Sequence, residues 1–119
     1  MIKPRLRHKY NAKKCEFEGK KFRSKLEKSV YLALRMLKEK GQILFILREV
    51  PVELPGSIKH YIDFFAFGKE ECWLIEAKSK EGRAPVGEIK RKQAEEILGV
   101  TIHVVTEPKE VFSLISPEC

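Results

Sequence analysis

Three ionisable residues lie inside the most apolar stretch of the chain. The segment HYIDFFAFGKEECWLIEAK, residues 60–78, is rich in Ile, Phe, Tyr and Trp, yet Asp63, Glu76 and Lys78 fall within its apolar runs. A charge inside a buried strand is costly unless it is paired. With a turn at 68–71, Phe67 faces Cys72, and the same antiparallel register sets Asp63 opposite Glu76, with Cβ atoms about 5 Å apart. Lys78, two residues past Glu76, shares that face. Facing carboxylates repel, and a divalent cation between them removes the repulsion; oxygen donors suit Mg²⁺ or Mn²⁺. A lysine beside such a cation can orient a water or neutralise charge on a phosphate. The competing account is an ordinary sheet face on which Lys78 pairs with both acids. Large apolar groups on both faces speak against it: Tyr61, Phe65, Phe67 and Leu74 beside the acids, Ile62, Phe64, Trp73 and Ile75 opposite. The acids are therefore expected at the rim of a cleft.

The elements that must hold these residues follow from periodicity. Leu26, Val30, Ala33, Leu34 and Leu37 recur at helical spacing between an N-cap at Ser24 and a stop at Gly41, which predicts a helix over 25–40. QILFILREVPVEL is β-rich, and Pro51 marks it as an edge, a bulge or a break. The hairpin 60–78 follows the turn PGSIK. VGEIKRKQAEEILG predicts a second helix with Val86, Ile89, Ile97 and Leu98 inward and Gly99 as its stop. TIHVV is a strand, and PKEVFSLI a short helix begun by Pro108. The arm KCEFEGKKF has strand character around Gly19. The order α-β-β-β-α-β(-α) implies a mixed sheet with helices on both faces, because a helical crossover returns the chain parallel to a neighbour.

Other polar residues carry two readings each. Glu27 sits at the edge of the inward stripe of the first helix, but Ser24-x-x-Glu27 also spells a capping box. Gln93, four residues from both Ile89 and Ile97, is expected to face the sheet as a core amide or as a site residue. Lys90 and Arg91 read as a solvated face. His8, His60 and His103 have no helical pairing, so no zinc site is expected, and neither is a Ser/His/Asp triad.

Composition bounds the rest. With 119 residues, 43% of them hydrophobic and 34% charged, the chain is one globular domain. No apolar run reaches the roughly 20 residues of a membrane span. No apolar segment follows the basic start, so no signal peptide is expected. Cys15, Cys72 and Cys119 are odd in number and far apart, which points to a reducing cytoplasm. The net charge of +7 is unevenly placed. Residues 1–25 hold ten Lys/Arg against Glu16 and Glu18, a net of +8, and the remainder is close to neutral. Such a cluster suits a phosphate polyanion; a solvated arm is the bland alternative.

An acid on a first helix, then I-D, then E-A-K, in α-β-β-β-α-β order, resembles the PD-(D/E)XK nuclease superfamily. Ile62 stands where the superfamily commonly has proline. The segments KYNAKK, FRSKLE, LPGSIKHYIDF and EAKS are similar to small phage-encoded nucleases of this superfamily and to phage endonucleases that resolve branched DNA, over about residues 8–106. The resemblance implies a restriction-endonuclease-like core at 22–106, a basic N-terminal arm at 1–21, and a C-terminal helix and tail at 107–119, together a single nuclease domain. It implies Glu27, Asp63, Glu76 and the Ala77 carbonyl as ligands of Mg²⁺ or Mn²⁺. Lys78 is then the catalytic lysine, and Gln93 or Lys90 an accessory residue. The substrate it implies is branched duplex DNA. Arg5, Arg7, Lys9, Lys13, Lys14, Arg23, Lys80 and Arg83 are the expected DNA contacts. The junction-resolving enzymes carry a further acid soon after the first helix, and the nearest here, Glu49, is in a different register. A homodimer is expected, because two coordinated cuts suit a two-fold assembly. ILFILREVPVEL and the arm, with Phe45 and Phe17, are its expected contacts. A transposon-end or restriction-like endonuclease is the second reading. A non-catalytic nucleic-acid-binding protein on the same fold is the third, and a structural protein whose arm binds a partner chain the fourth.

Overall fold

A computed structural model describes residues 15–17, 19–79 and 85–116. The elements run β1 (Cys15–Phe17), β2 (Lys20–Phe22), α1 (Lys25–Glu39), β3 (Phe45–Leu54), β4 (Ile58–Phe67), β5 (Cys72–Ala77), α2 (Pro85–Leu98), β6 (Ile102–Val105) and α3 (Lys109–Ile115). Among the described residues no helix is long and apolar enough to cross a membrane.

The local signals work as physics requires. The Ser24 hydroxyl accepts the Glu27 N–H at 3.1 Å and opens α1. Gly41, at φ 85°, ends it in the left-handed conformation that a side chain would resist. Val30, Tyr31, Ala33, Leu34 and Leu37 form its buried stripe. β1 and β2 make a small hairpin. Phe22 at its end is buried beside Tyr31, ring centroids 5.2 Å apart. Arg48 of β3 lies 4.2 Å above the Phe22 ring and donates to the Lys21 carbonyl, which ties the hairpin to the main sheet.

That sheet has the order β3-β4-β5-β6. β3, β4 and β5 are antiparallel, and α2 returns the chain so that β6 runs parallel to β5. The fold is thus α/β with a mixed four-stranded sheet. β3 is an edge strand, where Pro51 is tolerated. The β4–β5 turn closes through Gly68 N–H to the Glu71 carbonyl at 2.8 Å, and Phe67 faces Cys72 as the spacing predicts. A side chain at Gly68 would meet the Trp73 ring at 3.1 Å and the Gln42 carbonyl at 3.3 Å, so a larger residue would have to push the ring aside.

Leu74 and Ile75 point to opposite faces of β5 and enter different cores. Ile75, Phe64, Ala66 and Val105 pack under α1 and α3. Leu74, Ile102, Ile62, Val52 and Leu54 pack with Ala94 of α2. Ile62 and Phe64 would share one face of a regular strand, yet they serve different cores. The change of side falls at Asp63, where the β3–β4 ladder skips the Glu49–Asp63 pair. Glu49 there adopts φ 50°, a costly conformation for a side-chain-bearing residue.

α2 departs from the sequence expectation. Its sheet-facing side is Ala94, fully buried, and Arg91, whose side chain is 15% exposed. Val86, Ile89, Ile97 and Leu98, expected inward, are exposed, and so is Gln93. Arg91 is held by Glu88 at 2.7 Å and Glu95 at 3.3 Å. Its guanidinium can lie against the sheet because two carboxylates on its own helix satisfy it. The helix is about 100° out of the phase that its aliphatic spacing suggests.

Candidate active site

Three carboxylates from three elements are buried near one another. Glu27 comes from the first turn of α1, Asp63 from the ladder break in β4, and Glu76 from the end of β5. They are 2%, 4% and 1% exposed. The apolar surroundings in the sequence suggest acids at a cleft rim; instead they lie beneath the surface.

Each carboxylate is pinned through one oxygen. Glu27 Oε1 accepts the Arg23 backbone N–H at 2.7 Å, one residue earlier than a capping box predicts. Asp63 Oδ2 accepts the Ala77 N–H at 2.8 Å, so the side chain ends the β4–β5 ladder where backbone pairing stops. Glu76 Oε2 bonds to Nε2 of His60, itself buried. The second oxygens differ. Glu27 Oε2 and Glu76 Oε1 are buried without a hydrogen-bond partner. Asp63 Oδ1 receives the Arg23 guanidinium at 2.5 Å, and that guanidinium also stands 3.8 Å from Glu27 Oε2.

The electrostatics follow from burial. Desolvation pushes Asp63 above its ordinary pKa despite the opposing Arg23 charge and Ala77 N–H, and Glu76 adds to the rise. Burial likewise raises Glu27, against the Arg23 N–H. Burial works against the charge of Arg23, but Asp63, Glu27 and Glu49 outweigh it and raise the guanidinium pKa further. Lys78 is half-buried, and its field favours the Asp63 carboxylate. Its Nζ lies 4.0 Å from where a Gly87 side chain would begin, so the start of α2 forms its wall.

Of the residues expected to hold a cation, Asp63 is the common neighbour: its charge acts on Glu27, and those of Glu76 and Lys78 act on it. Among the described residues no three His, Cys, Asp or Glu side chains stand in metal-binding geometry. The donor set nevertheless fits a hard divalent cation, because two buried carboxylate oxygens accept no hydrogen bond and a third is covered only by a guanidinium whose side chain is 60% exposed. Gln93 is exposed and turned away from the sheet; Lys90 is half-buried on the same helix. Arg5, Arg7, Lys9, Lys13, Lys14, Lys80 and Arg83 lie outside the described residues.

Three further residues belong to the site's surroundings without any role expected from the sequence. His60 enters the sequence reading only as an unlikely zinc ligand; its position three residues before Asp63 in the same strand is the available signal. Arg91 reads as solvated, yet the field of Glu76 reaches it and its Nε is buried without a partner. Glu49 lies in register with Asp63, and its charge acts on Arg23 and Glu27. Nothing local in the sequence announces its backbone conformation.

Residues 7–56 are similar to a family model described as a protein of unknown function, DUF1064. The matched stretch takes in α1 with Glu27 and ends before Asp63, Glu76 and Lys78. No curated protein and no solved structure matches the chain.

Proposed function

We propose that this protein is a metal-dependent DNA endonuclease that hydrolyses phosphodiester bonds, selective for branched duplex DNA. The observation that carries this is the trio of buried carboxylates, two of whose oxygens, Glu27 Oε2 and Glu76 Oε1, accept no hydrogen bond, beside the half-buried Lys78. Buried acids left unsatisfied oppose stability, so a cation is their natural complement. The element order α1-β3-β4-β5-α2-β6 is compatible with the restriction-endonuclease-like core implied by the motif.

Glu27, Asp63 and Glu76, with the Ala77 carbonyl, would hold Mg²⁺ or Mn²⁺. A bound divalent ion of this kind polarises a phosphate and acidifies a bound water. His60 and the Ala77 N–H fix the orientation of Glu76 and Asp63 by occupying one oxygen of each. Lys78 supplies a positive charge for the phosphorane-like transition state, or holds the attacking water. The basic arm, with Lys80, Arg83 and Lys90, would supply backbone contacts that position DNA without reading its sequence.

The test is nicking of supercoiled plasmid with Mg²⁺, with and without chelator, by the wild type and by Asp63→Asn. Cleavage that needs Mg²⁺ and falls roughly a hundredfold or more in the variant is expected. A panel of four-way, flap, nicked and linear DNAs then reads the structural preference. Equal turnover by Asp63→Asn removes this site from the chemistry.

A further inference from the structure

The outward face of α2 is aliphatic, the reverse of a helix packed against its own sheet. Val86, Ile89 and Ile97 are 58%, 58% and 52% exposed, and Val100, just past the helix end, is 46% exposed. With Gln93 they form a series spaced by three, four, four and three residues. On a helix Val86, Ile89, Gln93 and Ile97 share one face. The series reads identically in both directions from Gln93: valine, isoleucine, glutamine, isoleucine, valine.

We propose that this face binds α2 of a second copy of the chain, antiparallel, about a two-fold axis at Gln93. A two-fold interface must be self-complementary, and a palindromic stripe is what that requires. Ile89 then packs on Ile97 of the second copy, and Val86 approaches Val100. The two Gln93 amides meet at the axis, where each can donate to and accept from the other. Lys92 and Glu96 lie on one flank of the stripe, where Ile89, Lys92, Gln93 and Glu96 line a shallow groove. The antiparallel rotation brings Lys92 of each copy beside Glu96 of the other, giving two opposite-charge pairs along the seam. An unrelated partner would not need this symmetry. Four half-exposed aliphatic side chains and the stems of Lys92 and Glu96 supply about half of the ~800 Å² per partner of a standard interface. An interface of that size is a weak one, so a dimer that forms in the upper part of the micromolar range is expected. The stripe is turned about 100° around the helix from the Ala94 face that packs on the sheet, so the dimer does not depend on the nuclease chemistry.

Sedimentation of the whole chain from about 1 to 100 µM tests it, alongside Lys92→Glu, the double variant Lys92→Glu/Glu96→Lys, and Gln93→Cys in a chain whose Cys15, Cys72 and Cys119 are serine. All three α2 positions are exposed, and circular dichroism checks that the variants fold. Lys92→Glu is expected to weaken the dimer about tenfold, and the double variant to restore it. Gln93→Cys is expected to give a disulfide-linked dimer under mild oxidation. A monomer throughout, or a dimer that Lys92→Glu leaves unchanged and Gln93→Cys fails to trap, overturns the proposal.

Discussion

Arg23 and Asp63, 40 residues apart in the chain, meet at 2.5 Å between guanidinium and carboxylate. The backbone N–H of the same arginine holds Glu27. One residue thus anchors one acid and covers the other, and its charge occupies the place that a cation would take at Asp63 Oδ1. Arg23→Gln should therefore bind Mn²⁺ more tightly, by about tenfold if ~1.4 kcal/mol of competition is removed. Calorimetric titration of the metal-free protein reads this directly. Weaker binding in the variant would show that Arg23 supports the site rather than competing for it.

Asp63 and Glu27 both titrate above their ordinary range because burial disfavours their charge. A raised carboxylate binds more protons in the folded state than in the unfolded one. Its stabilisation is fully present below the unfolded pKa and is lost as pH rises through the folded one. In the absence of metal, the urea midpoint should fall as pH climbs from the ordinary carboxylate range through the raised values. Glu27→Gln/Asp63→Asn should flatten that slope, and Mg²⁺ should restore the wild-type midpoint at the upper end. A rising slope in the metal-free wild type would contradict these shifts.

His60 touches Glu76, not the expected cation position, so its loss should loosen the acid without removing it. His60→Ala is expected to cost about 10–100-fold in metal affinity. His60→Gln, which can still donate to Glu76, should recover part of that. Equal affinities in both variants and the wild type would leave His60 a packing residue.

The orientation of α2 can be checked by a pair of neighbours. Ala94 is fully buried between helix and sheet, and Ala94→Leu should destabilise by about 1–3 kcal/mol through overpacking. Gln93→Leu, one residue earlier and exposed, should stay within about 0.5 kcal/mol in dilute solution. Reversed effects in denaturant melts would return the helix to the phase suggested by its aliphatic spacing.

Removing residues 1–13 takes away Lys3, Arg5, Arg7, Lys9 and Lys13 and no acid. Binding should weaken for every duplex tested, and the log–log salt slope should flatten by about 0.9 for each phosphate that the arm no longer neutralises. An unchanged slope would mean that the arm does not touch the DNA backbone.

The sequence by itself determined the elements and the hairpin register. Capping at Ser24, the glycine stop at Gly41 and the turn at Gly68 are local events, and local chemistry suffices to place them. The same register runs from Phe67–Cys72 to Phe64–Ile75 and stops one pair short of the expected Asp63–Glu76 partners, where the Asp63 side chain takes the Ala77 N–H instead. Glu27 is legible as a cap, and its second role emerges only when α1 is laid beside β4. The tertiary structure alone decided which side of α2 is buried. Val86, Ile89, Gln93, Ile97 and Leu98 favour one phase, but Arg91 can turn inward because Glu88 and Glu95 satisfy it and because Ala94 fits the narrow space above Leu74 and Ile102. It also decided that alternation breaks at Asp63, since a left-handed residue at Glu49 on the neighbouring strand leaves no trace in β4. The partners of the acids, Arg23 and His60, come from distant segments or across a strand twist. Pairing over such separations is set by packing, to which no spacing rule reaches.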